Sequence, residues 1–284
     1  MLRSGPFSDE RIIGLLNARF VPFYFDLGPG SPAGDDDAKE FVIAVKQGLG
    51  GRSVPTPPVL LMTPEGELLA EISNYASEEK MLGALRDVLK KHPEFAQPRE
   101  GEQELPRLER ARIAHWLGDD GAARALLERD RSPEESLFLA QVARRAGELD
   151  EAVKALGELD PESHAADLSV ERGLIALRRG KYEEMCEAVE AYPTEGARAA
   201  EAQYLLGLAQ FHLGDPKVAR STWSELVERF GENRWSYRAD WAYSQTTDTG
   251  LAKRKSSFST AGSKSLLGRH GYMGRQNPDL ESRH

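Results

Sequence analysis

Four glycines set the frame for most of this chain. Gly118, Gly147, Gly180 and Gly214 follow one another at spacings of 29, 33 and 34 residues. Five residues beyond each stands a small or slender side chain: Ala123, Ala152, Met185 and Ala219. Four residues further on stands a large apolar one: Leu127, Leu156, Val189 and Trp223. The segments between them carry helical periodicity. A glycine between two helices turns the chain without a Cβ clash. The small residue lets the paired helices approach, and the large one fills the gap to the neighbouring unit. Residues 107–243 therefore predict a stack of helix–turn–helix units, each burying its apolar side against the next. Arg234 to Tyr243 is expected as a closing helix.

The first 92 residues have a different grammar. Ser8 to Asn17 predicts a helix capped by Ser8, with Ile12, Leu15 and Leu16 on one face. Phe20 to Leu27 is aromatic and nearly continuously apolar, as a strand buried on both faces would be. Asp35, Asp36 and Asp37 stand at the start of a further helix, Ala38 to Lys46, where acidic groups favour the positive end of the helix dipole. Ser53-Val54-Pro55-Thr56-Pro57-Pro58 then forms a bend that feeds a buried strand, Val59 to Met62. Thr63-Pro64-Glu65-Gly66 is a turn into a second arm, Glu67 to Ser73. Ser77 caps a last helix that buries Met81, Leu82, Leu85, Val88 and Leu89. Residues 93–106 are polar and rich in Glu and Pro, and are expected to be a linker.

Charge and cysteine content narrow the function classes. The formal net charge of −9 argues against nucleic acid as the partner of the whole chain. Residues 244–284 run the other way, with seven basic side chains against three acidic ones, and are expected to be a largely disordered basic tail. That tail is the one place suited to an acidic partner. No stretch approaches the roughly 18 apolar residues of a membrane helix, and no apolar run follows Arg3 to make a secretory signal. With Cys186 the single cysteine, neither an intramolecular disulfide nor a dithiol redox centre is available to this sequence, which leans the expectation towards the cytoplasm. No histidine pair has ligand spacing, and no phosphate-binding or dinucleotide-binding glycine pattern occurs, so no cofactor or metal is expected.

Two family resemblances follow from these residues. The Gly, small and large positions of 107–243 resemble the tetratricopeptide repeat, with Tyr182 and Asp160-Pro161 where that family often has them. The short first spacing and Met185 in place of the usual Ala depart from its pattern. Residues 1–92 resemble the later part of a thioredoxin-like fold. Val54-Pro55-Thr56 is similar to the loop that holds a cis-proline opposite the redox dithiol in that family. The first strand and the Cys-x-x-Cys of the family are not among these residues, so the resemblance implies an incomplete, three-stranded α/β domain.

Together they imply a non-catalytic protein that binds a protein or peptide on the concave face of the repeats. A second peptide segment would lie along Ser53, Val54, Pro55 and Thr56. The alternative is a thiol–disulfide oxidoreductase whose Cys-x-x-Cys is encoded upstream of Met1.

Overall fold

The computed structural model describes residues 6–22, 59–72, 77–193, 195–231 and 233–246. The expected helix at 38–46, the bend at 53–58 and the tail from 247 lie outside these residues, as does most of the expected strand at 20–27.

The N-terminal unit is built from helix α1 (Glu10–Arg19), strands β1 (Val59–Met62) and β2 (Leu68–Ile72), and helix α2 (Glu78–Lys91). Asp9, rather than Ser8, caps α1. Its carboxylate accepts from the backbone N–H of Arg11 at 2.8 Å and also holds the Arg11 guanidinium at 2.9 Å. A carboxylate that satisfies both an orphan helix donor and a cation outcompetes a serine one residue earlier. Phe20–Pro22 do not open a strand. Phe20 ends α1 in extended backbone, and Val21 is exposed. β1 and β2 form an antiparallel hairpin with Val59 opposite Ile72 and Leu61 opposite Ala70. Gly66 closes the turn at a φ of 89°, with its N–H on the Thr63 carbonyl. Ser77 caps α2, and Met81, Leu82, Leu85, Val88 and Leu89 are all buried. They form one core with Ile12, Leu15, Leu61 and Ile72.

Residues 93–106 are tied down along their length. Phe95 and Ala96 pack against the N-terminal core. Arg19 donates to both carboxylate oxygens of Glu102 at 2.6 and 2.7 Å and to the Ala96 carbonyl at 3.1 Å. The polar composition that suggested a linker is the composition of a buried, bidentate ion pair and its backbone partners.

Nine helices complete the described chain: α3 (Arg107–Leu117), α4 (Asp120–Leu126), α5 (Pro133–Ala146), α6 (Leu149–Leu156), α7 (Ala165–Arg179), α8 (Tyr182–Glu190), α9 (Ala199–His212), α10 (Pro216–Phe230) and α11 (Arg234–Gln245). They stack as helix pairs closed by α11. Gly118, Gly147 and Gly180 end α3, α5 and α7 in the left-handed region, and Gly214 does the same just past α9. Ala123, Ala152, Met185 and Ala219 are buried, as are Leu127, Leu156, Val189 and Trp223. Three successive cores result. The first joins Ala111, Leu127 and Phe138; the second joins Ala140, Leu156 and Ile175; the third joins Met185, Tyr204, Trp223 and Ala239. No helix among the described residues is long and apolar enough to cross a membrane.

Candidate functional site

Each helix pair is pinned to the next by ion pairs about one repeat apart in sequence. Arg107 of α3 holds Glu135 at the start of α5. Arg131 holds Glu158, and Arg179 of α7 holds Asp150 of α6. Most of these pairs are partly exposed, and each adds little to stability.

One cluster is different. Glu171 sits on the same face of α7 as Leu168 and Ile175, and its side chain is only 1% exposed. Its carboxylate accepts from Arg144 Nε at 2.9 Å and Gln141 Nε2 at 3.3 Å, and lies 2.8 Å from the guanidinium of Arg198. Arg198, the N-cap residue of α9, also holds Glu201 at 2.8 Å. Burial pushes the Glu171 carboxyl up, but Arg144 and Arg198 outweigh it and hold the group below the usual carboxylate range. One buried carboxylate thus ties α5, α7 and α9 together.

The charged face continues to Arg145. Its guanidinium reaches Nε2 of His115 at 3.4 Å, while Nδ1 of His115 lies 2.6 Å from Asp120. The pattern fits a neutral imidazole that donates through Nδ1 to Asp120 and accepts at Nε2. Burial lowers the His115 pKa, against the pull of Asp120. Burial, with the like charges of Arg144 and Arg11, lowers the Arg145 pKa. These groups can hold and orient charged or hydrogen-bonding partners.

The Cys186 thiol is pushed up to about 11 by burial and by Glu190, which keeps it protonated near neutral pH. Among the described residues no group of His, Cys, Asp and Glu is arranged to hold a metal ion.

A groove of about 480 Å³ runs between α6, α7 and α8. Val153, Leu168, Ile175 and Ala188 line it, with Arg172 and Glu184 also in its wall. At eight residues, α6 is about half the length of α10, and so covers less of the helix beside it.

On α11, Ser236 and Asp240 are buried one turn apart, and neither Ser236 Oγ nor Asp240 Oδ1 has a hydrogen-bond partner among the described residues. Burial pushes the Asp240 carboxyl up to about 7. A folded-state pKa above the unfolded value means that the fold favours the protonated form. Its contribution is complete below about pH 4 and is lost as pH rises to about 7. Asp240→Asn is expected to stabilise the protein at pH 8 by on the order of 3 kcal/mol and to leave it nearly unchanged at pH 4. Thermal denaturation of both proteins across this range checks the sign; a gain of equal size at both ends would refute it.

Ser53, Val54, Pro55 and Thr56 lie outside the described residues. The Glu171 cluster was not anticipated from the sequence, although one signal was there: a glutamate three residues after Leu168 and four before Ile175, on a buried helical face.

Residues 201–233 match the family model of the tetratricopeptide repeat. The match covers α10 and all but the first two residues of α9, the pair that carries Gly214, Ala219 and Trp223. No curated protein and no solved structure matches the chain.

Proposed function

We propose that this protein is a non-catalytic adaptor whose helical repeats hold a protein partner on the face that carries the half-buried Gln141 and Arg145, beside the buried Glu171–Arg144 pair. The repeat match points to protein–protein interaction in general. The single observation behind the finer reading is the rigid charged face itself. Glu171 locks three successive helices in register, so neighbouring polar groups are presented in a fixed arrangement, which lowers the ordering cost of binding. The N-terminal unit is proposed to be thioredoxin-like. The order helix, hairpin, helix supports that reading, and Ser53, Val54, Pro55 and Thr56 would give an extended peptide a backbone to pair with.

A photo-crosslinking amino acid at Gln141 tests the repeat face, and one at Val54 tests the bend. Each is compared with the same group at Glu228, exposed on α10. Crosslinks to a discrete partner from Gln141 and not from Glu228 are expected. Equal labelling from both positions would remove the charged face from consideration.

A further inference from the structure

The two ends of the repeat array both touch the N-terminal unit, but through seams of opposite character. At the first end the seam is apolar and broad. Gly14 of α1 lies against the ring of Trp116, where an added Cβ would come within 2.5 Å of ring carbons. Trp116 and Leu117 pack into the N-terminal core. Arg86 of α2 donates to the carbonyls of His115 at 2.7 Å and Trp116 at 2.9 Å, capping the end of α3.

At the other end the seam, among the described residues, is ionic. Arg238 of α11 donates to both oxygens of Glu78 at 2.9 Å. Arg234 donates to Glu78 at 3.1 Å and to the Ser8 carbonyl at 3.1 Å, with Asp9 3.8 Å away. Both guanidinium groups lie over the Trp235 ring, at 5.2 and 5.1 Å, which fixes their direction. Among the described residues neither adjoining apolar core crosses this seam. Glu78, Arg234 and Arg238 keep between 21% and 29% of their side-chain surface exposed. Partly exposed pairs of this kind are weaker than an apolar seam and are screened in part by salt.

We propose that the Glu78–Arg234–Arg238 contact is a latch. While it is shut, the N-terminal unit bridges the two ends of the array. When it opens, the unit swings about the apolar Gly14–Trp116 seam, which stays intact, and uncovers the α11 end of the array. The significance for partner access rests on the binding role proposed above, whereas the latch itself is a property of the isolated chain.

The test uses the full chain with Cys186→Ser and dye-labelled cysteines at Glu65, on the hairpin turn, and Glu228, on α10. Both residues are exposed and stand outside the latch. Energy transfer between the dyes is expected to fall by half or more in Glu78→Arg, and to fall likewise when salt is raised to about 1 M. Combining Glu78→Arg with Arg234→Glu and Arg238→Glu reverses the charges on both sides and is expected to restore the transfer at low salt. Circular dichroism confirms that helix content is kept. Unchanged transfer in Glu78→Arg and in high salt would overturn the latch. So would a loss that the triple variant does not recover, because the first substitution would then have damaged the fold. The readout needs no partner, so it separates failure of the latch from failure of the adaptor reading, which the Gln141 crosslink decides.

Discussion

Trp223→Ala is expected to destabilise the chain by about 3–5 kcal/mol, the range for removing a fully buried aromatic side chain. The indole is 0% exposed in the largest core. It packs beside Tyr204 and Phe211, with ring centroids at 6.5 and 6.3 Å, and its N–H donates to the Tyr204 carbonyl at 3.2 Å. Truncation removes that volume and leaves a carbonyl without its side-chain donor. The complementary substitution is Gly207→Ala. A Cβ at Gly207 would overlap the Trp223 ring, which its hydrogen bond and packing hold in place. Overpacking of this kind costs about 1–3 kcal/mol. Combining Gly207→Ala with Trp223→Phe is expected to cost less than the sum of the two changes, because each relieves the other. Urea unfolding followed by circular dichroism measures wild type, Trp223→Ala and the two single and one double variants of this cycle. Strict additivity would show that the two positions do not meet.

Glu171→Ala is expected to be as damaging, at about 3–5 kcal/mol, for a different reason. It strands Arg144 in a buried site without its carboxylate, while Arg198 keeps Glu201, and an uncompensated buried charge costs more than the pair contributed. Replacing Glu171, Arg144 and Arg198 together by leucines of suitable shape is expected to recover much of the loss. The pH dependence has a definite sign. Because the folded-state pKa is held below the unfolded value, the contribution is present above about pH 4.5 and is lost as the pH falls through the lower folded value. The gap between wild type and Glu171→Gln should therefore narrow on acidification because wild type loses stability, whereas at Asp240 the gap narrows because wild type gains it. A gap that widened in acid would mean that the arginines do not stabilise the ionised carboxylate.

The repeat region was legible because its determinants are local and periodic. Gly118, Gly147, Gly180 and Gly214 take left-handed backbone, and the residues five and nine positions on are buried, as turn geometry and close helix pairing require. The face of α2 was legible for the same reason. What escaped were contacts between residues far apart in sequence. Arg19 with Glu102 turned an expected linker into a docked strap, and Glu78 with Arg238 joined segments that composition would place in separate units. Charged side chains read as solvated surface in a sequence, and only the fold says which of them find a distant partner. The cap of α1 moved from Ser8 to Asp9 because the Asp9 carboxylate also holds Arg11. The bend at Ser53 to Thr56 lies outside the described residues.

The contacts of Arg234 and Arg238 also bear on the order in which the chain assembles. Stacked repeats form mainly from neighbours in sequence, which favours rapid folding. The contacts from Arg234 to Ser8 and from Arg238 to Glu78 span 226 and 160 residues. A ribosome delivers the N-terminal unit long before α11 exists, so Glu78 spends most of synthesis without its arginines. Closure can then come only after α11 has been made, and until that point the far end of the array stands without the N-terminal contacts, which is the form in which chaperones would first encounter it.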